Sequence, residues 1–166
     1  MSIRSAEIRD VPALIAMVLE LAEYENAPEQ AIATEDDFAR DLFGENPRVH
    51  ALVADVDGDV VAYAFYFLNY STWLGRHGIY LEDLYVRPAS RGRGFGKALL
   101  VRLAQECVEK GYGRLDWSVL DWNTPSREFY AALGAEGLTE WVPYRAQGDA
   151  LVNLARMDTG SLDTGF

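Results

Sequence analysis

The chain is poor in cysteine, histidine, basic residues and long apolar runs, and each shortage removes a class of function. One of its 166 residues is cysteine, Cys107, which excludes an internal disulfide framework and a cysteine-based zinc site. The two histidines, His50 and His77, stand too far apart to read as a metal pair, and no carboxylate spacing supports one, so no metal is expected. No apolar run approaches the roughly 18–20 residues that span a bilayer. The first residues, MSIRSAEIRDVP, lack the basic start and apolar core of a secretion signal. Lys and Arg number 15 against 26 Asp and Glu, a formal net charge of −11. Nucleic acid needs a basic surface and is not expected as a partner, whereas a cationic small molecule is compatible with the charge. The expected location is cytoplasmic.

What is present points to one globular domain. Hydrophobic residues make up 49% of the chain, enough for a sizeable single core. The domain is expected to cover residues 1–158, with the polar end TGSLDTGF, residues 159–166, frayed beyond it.

The remaining elements are arranged around residues 79–104, IYLEDLYVRPASRGRGFGKALLVRLA. An apolar strand with an embedded acid pair, Glu82 and Asp83, leads into a glycine turn and then a helix from Lys97. Backbone N–H groups at a helix N-terminus bind anions well. The turn is not G-x-G-x-x-G, because Lys97 stands where the third glycine would fall counting from Gly92. It is not G-x-x-x-x-G-K-[ST] either, because Ala98 follows the lysine. It reads R-x-x-G-x-G, with Gly94 and Gly96 allowing close backbone approach and Arg91 and Arg93 adding charge-assisted bonds.

Upstream, residues 2–8 read as a short strand, and Asp10 as the cap of a helix over 11–24. Thr34, with Asp37 three residues on, opens a second helix that ends at Gly44. Strands over 49–56 and 60–70 flank Asp57-Gly58, a two-residue hairpin signal. Downstream, the helix from Lys97 puts Leu99, Leu100, Leu103, Ala104 and Cys107 on one face. A parallel strand at 114–120 follows it. Asn123 or Thr124 caps a helix over 126–133, and short strands are expected at 138–144 and 151–155.

RGRGFG at 91–96, after LEDLYV, resembles the acetyl-CoA loop of the GNAT N-acetyltransferase superfamily. LAEYE at 21–25, FGENP at 43–47, YLEDLYV at 80–86 and DWNTPSREFY at 121–130 are similar to its diamine (spermidine/spermine-type) and thialysine branch. The resemblance covers about residues 3–157. It implies an α/β (α+β) GNAT fold, with a mixed, mostly antiparallel sheet of about six or seven strands, about four helices, and a strand pair splayed at the coenzyme site. It also implies acetyl-CoA as co-substrate and a homodimer with active sites close to the interface.

For the donor, the resemblance implies main-chain pairing of the pantetheine arm with Leu84, Tyr85 and Val86, a free strand edge being suited to this. The pyrophosphate then lies on Arg91, Gly92, Arg93, Gly94, Phe95, Gly96 and Lys97, and Asn123, Pro125 and Ser126 line the arm. Tyr130 sits where the superfamily carries a tyrosine near the CoA sulfur. A phenol with a pKa near 10 is matched to protonate a thiolate with a pKa of about 8.5. The acceptor amine must lose a proton, and Glu82 is the candidate base, directly or through water, with Asp83 on the opposite strand face. Tyr24 and Glu25 match family residues that touch the amine; Trp73, Asp116 and Glu140, with Glu29, Trp117 and Trp141, are further candidates. One departure concerns the acceptor. Polyamine enzymes of the branch tend to carry an acid just before the loop Trp, where this chain has Ser71-Thr72-Trp73. A diamine, a polyamine and a lysine analogue such as thialysine all remain open. So do a protein amine, another amino acid, an aminoglycoside and a regulatory CoA-binding module without turnover.

Overall fold

The computed structural model describes residues 2–157, and the chain divides after Ser118 into two compact units. The first unit is built on a five-stranded sheet in the order β1-β2-β3-β4-β5. Strands β1 (Ser2–Ser5), β2 (Val49–Val56), β3 (Asp59–Ser71) and β4 (Arg76–Val86) are antiparallel neighbours. Strand β5 (Leu115–Trp117) joins β4 in parallel. The β2–β3 turn has positive φ at both Asp57 and Gly58, the type I′ geometry that matches strand twist.

Helices cover both faces of the sheet. On one side lie α1 (Val11–Tyr24) and α2 (Glu35–Phe43). Their Leu14, Met17 and Leu42 pack with Val53, Tyr63 and Tyr85. Truncating a fully buried side chain such as Leu14 to Ala would cost about 2–5 kcal/mol. On the other side lies α3 (Phe95–Lys110), which buries Phe95, Leu99, Leu100, Leu103 and Cys107. Ala104 is exposed there, so the apolar stripe is narrower than the sequence pattern suggests. Helix α2 opens on the expected capping box between Thr34 and Asp37. Asp10 does not cap α1 with its side chain; its carboxylate accepts from Arg4 at 2.6 Å and from the Glu7 N–H at 2.8 Å.

The second unit holds α4 (Thr124–Ala132) and α5 (Asp149–Ala155). Asn123 caps α4, its side-chain oxygen accepting from the Ser126 N–H at 3.3 Å, and Pro125 occupies the first turn.

Several strand expectations also need correction. The strand expected over 138–144 does not form; the segment is irregular and contains Pro143, which cannot donate to a ladder. The strand expected over 151–155 is part of α5, where Leu151 and Leu154 keep the i, i+3 spacing of a helix. The sheet therefore has five strands instead of six or seven, and the described residues form five α-helices. The third strand of the meander begins at Arg76, three residues before the expected Ile79. The end expected to fray, residues 159–166, lies outside the described residues.

Candidate active site

The glycine turn takes the form an anion site requires. Gly92 and Gly94 have φ of 73° and 83°, a left-handed conformation that other residues adopt at a cost. A Cβ at either position would meet no atom within 4 Å, so open space lies above the loop. Gly94 is the N-cap of α3 and supplies no side-chain cap, which leaves first-turn N–H groups for a ligand. Phe95 is buried, so it offers the site its backbone while its ring anchors the helix.

Both loop arginines rest on aromatic rings. The Arg91 guanidinium lies 5.4 Å from the Tyr24 ring centroid and 5.7 Å from that of Tyr85, and its Nε donates to the Val86 carbonyl at 3.0 Å. The Arg93 guanidinium lies 5.2 Å from the Phe95 ring centroid. Stacking of this kind leaves in-plane N–H groups free to donate to phosphate. Lys97 adds an exposed positive charge in the first turn of α3. The open cradle, uncapped helix and local positive charge fit the pyrophosphate of a coenzyme A.

The strand before the loop carries the acids. The β4–β5 ladder ends at Leu81–Trp117, while β4 continues beside β3 to Val86. Residues 82–86, which include Leu84, Tyr85 and Val86, therefore have no partner from β5 on their outer edge. Across the inner edge, Phe65 pairs with Asp83 and Tyr66 with Leu81. Glu82 is thus the extra residue of a β-bulge, and it is exposed. The bulge brings Asp83 onto the α1 side of the sheet, half-buried, beside Tyr63.

Electrostatics follow from that placement. Burial, then the neighbouring charges of Glu82 and Glu25, push the Asp83 carboxyl up to about 6, against a smaller opposing effect of the Tyr63 hydroxyl. Partial burial also raises Glu25, at the end of α1. Tyr63 is wholly buried, and its Oη closes no hydrogen bond among the described residues although Asp83 faces it. Leaving a buried hydroxyl unpaired costs about 1–3 kcal/mol.

The other candidates are more scattered. Tyr24 lies under Arg91, beside the glycine loop. Asp116 is committed to Arg114 at 2.7 Å and to the Asn69 amide at 2.9 Å, so its charge is compensated away from Asp83. Trp73 is 90% exposed at the β3–β4 turn, at the end of β4 opposite the bulge. Trp117, on β5, pairs with Leu81 of β4, and Glu29 is exposed after α1. In the second unit, Pro125 and Ser126 open α4 and Tyr130 stands near its end, its ring 5.3 Å from that of Phe129. Glu140 and Trp141 are exposed in the irregular segment after α4. Cys107 is buried, its thiol pushed up by burial and directed at the Arg114 carbonyl, which suits packing and not nucleophilic attack.

The acetyltransferase (GNAT) family matches residues 15–135. The chain belongs to this family. Like other GNAT members it is an acyltransferase, and acetyl-CoA is the family's co-substrate. It is 41% identical over 164 residues to the thialysine N-epsilon-acetyltransferase of Bos taurus, covering 92% of this chain and 96% of that one. It is 33% identical over 163 residues to the spermidine/spermine N(1)-acetyltransferase-like protein 1 of Homo sapiens, covering 92% of this chain and 23% of that one. A solved structure, an integron cassette protein from the mobile metagenome of V. cholerae, has a TM-score of 0.79 at 28% identity, covering 94% of this chain and 98% of that one.

Two features of the site had no signal in the sequence. Tyr63 sits in an unbroken apolar and aromatic run, VVAYAFYFLNY, where a hydroxyl is one more aromatic. The rings beneath Arg91 come from α1 and β4, elements that only the fold brings together.

Proposed function

We propose that this enzyme acetylates the side-chain amine of a small lysine-like amino acid, thialysine or a close analogue, with acetyl-CoA as donor and by direct transfer. The observation that carries the reading is the uncompensated acid cluster. Asp83 is faced by Glu82, Glu25 and Tyr63, none of them cationic. An ammonium group supplies the missing counter-charge and restores the Asp83 carboxylate to its ionised form. The thialysine relative, matched over nearly its whole length, supports the amino-acid acceptor.

Ser71 supports it as well. The residue is buried, and its Oγ accepts from the Leu74 N–H at 3.2 Å, so it closes a turn and offers no anion to a distal ammonium. A diamine or polyamine is the second reading, favoured by the human spermidine/spermine-type relative.

Bound acetyl-CoA supplies an activated thioester. The loop over 91–97 holds its pyrophosphate, and the free edge of Leu84, Tyr85 and Val86 orients the pantetheine arm. One N–H of that edge holds the thioester carbonyl oxygen. Asp83 and Glu25 hold the acceptor, Glu82 takes a proton from the amine directly or through water, and Tyr130 gives its proton to the departing thiolate. The active enzyme is a homodimer in the cytoplasm, with residues 1–158 acting as one domain.

The experiment is a thiol-release assay with acetyl-CoA and an amine panel of thialysine, lysine, putrescine, spermidine and an N-terminal peptide. Thialysine is expected to give the highest kcat/KM. Preferred turnover of spermidine would overturn the amino-acid reading, and absence of CoA release with every amine would favour a regulatory CoA-binding module.

A further inference from the structure

Tyr63 is the one large polar side chain in the apolar layer between the sheet and α1 that closes no hydrogen bond among the described residues. It is 0% exposed, and its ring centroid lies 6.4 Å from that of Tyr85, its partner across the ladder. Two residues along β3, Phe65 packs against the same apolar cluster without a hydroxyl and pairs with Asp83. The Glu82 bulge turns Asp83 to this side of the sheet. The groups that face the Tyr63 hydroxyl are then Asp83, Glu25 and Tyr85, with Asp83 the most strongly felt.

We propose that Tyr63 is a positioning residue of the acceptor site: its buried hydroxyl holds the Asp83 carboxylate from the core side and keeps that carboxylate turned toward the incoming amine. The proposal rests on the reading of Asp83 as an acceptor-site residue. A buried donor seeks an acceptor, and a carboxylate is the strongest one in reach. The contact closes whenever Asp83 is ionised, whether by a rise in pH in the free enzyme or by a bound ammonium. Its effect on Asp83 has a fixed sign, because a hydroxyl that donates to a carboxylate favours the charged state, opposing the burial and the Glu82 and Glu25 charges that disfavour it.

The test is Tyr63→Phe, which removes only the oxygen. The KM for the amine is expected to rise about ten-fold, the scale of a lost hydrogen bond to a charged group. The KM for acetyl-CoA should stay unchanged, and the acid limb of kcat/KM for the amine should move to higher pH. Carboxyl-carbon NMR titration of the free enzyme should show Asp83 titrating higher in the variant. A merely structural hydroxyl predicts none of these shifts, only unchanged or slightly improved resistance to urea. In an Asp83→Asn background, Tyr63→Phe should add nothing to the amine KM. An unshifted Asp83 titration with an active wild-type enzyme overturns the contact. A shifted titration in an enzyme whose wild type acetylates no amine overturns the acceptor reading instead.

Discussion

Leu81 and Asp83 stand two residues apart on β4 and face opposite sides of the sheet. In a regular strand they would share a face. Leu81 pairs with Tyr66, whose hydroxyl donates to Glu106 on α3, whereas Asp83 pairs with Phe65, packed against the α1 cluster. The inserted Glu82 makes the difference. One bulge thus buries an apolar side chain under α3, leaves one acid exposed and places another, half-buried, near Glu25 and Tyr63.

Asp83 is expected to be costly to the fold. Its folded pKa of about 6 stands above its ordinary 3.8, so the folded state binds the proton more tightly. Stability therefore falls as pH rises from about 4 to about 6, and the penalty is fully present above that range. Asp83→Asn should stabilise the protein at pH 8 by roughly 1–3 kcal/mol and give little gain at pH 4. The same variant should lose affinity for the amine. Urea denaturation at the two pH values checks the first part; an equal effect at both would show that the carboxyl is not held uncharged by its surroundings.

The opposite sign is expected at Arg4. Its guanidinium reaches Asp10 at 2.6 Å and Asp55 at 2.8 Å, tying β1 to the start of α1 and to β2. The Arg4 hydrogen bonds are the largest cause holding both carboxyls below the usual range, opposed by burial at Asp10 and joined by the Gly58 N–H at Asp55. This stability is present above about pH 4 and is lost as pH falls through the lower folded values. Arg4→Met leaves the buried Asp10 without its partner and should cost about 3 kcal/mol at pH 7. Its urea midpoint should also decline less steeply than the wild type's between pH 5 and pH 2. A parallel decline would remove Arg4 as the cause.

Gly94 separates coenzyme binding from folding. Valine there must adopt a φ of 83° and project into open space above the loop. The backbone cost is about 1–2 kcal/mol, so the variant should stay folded. Its affinity for CoA, measured by calorimetry, should fall by at least about ten-fold, because the side chain occupies the space the loop leaves for a pyrophosphate. Unchanged affinity would show that the phosphate lies elsewhere.

The glycine loop and the elements that flank it were legible in the sequence because their signals are local. A strand, glycines at set positions and an amphipathic helix lie within residues 79–104, and β4, the left-handed Gly92 and Gly94, and α3 form there. The placement of the acids was less legible. Glu82 and Asp83 were visible as a pair, but their division of roles depends on a bulge, and simple alternation does not reveal the extra residue. In the sequence Glu25 carried the family match, with Asp116 and Trp73 as further candidates beside it. The fold gives Asp116 an arginine and leaves Trp73 at an exposed turn, while Glu25 faces Asp83. The two strands expected beyond Leu133 failed for a related reason. Their short apolar runs fit a strand or a helix turn equally well, and Gly148 and Asp149 open a helix before the second.

Tyr130 carries the last prediction. It lies on α4, whose start is fixed by the Asn123 cap and by Pro125 in the first turn, so its place along the helix is set by local chemistry. A phenol that gives its proton to a departing thiolate acts after both substrates are bound. Tyr130→Phe should therefore lower kcat by about 10²-fold or more, the usual worth of a general acid. The KM values for acetyl-CoA and the amine should change little. Single-turnover CoA release isolates the chemical step from product release. If the variant releases CoA at the wild-type rate, the thiolate takes its proton from another source. If KM for acetyl-CoA rises while kcat holds, Tyr130 is a packing surface for the coenzyme and not an acid.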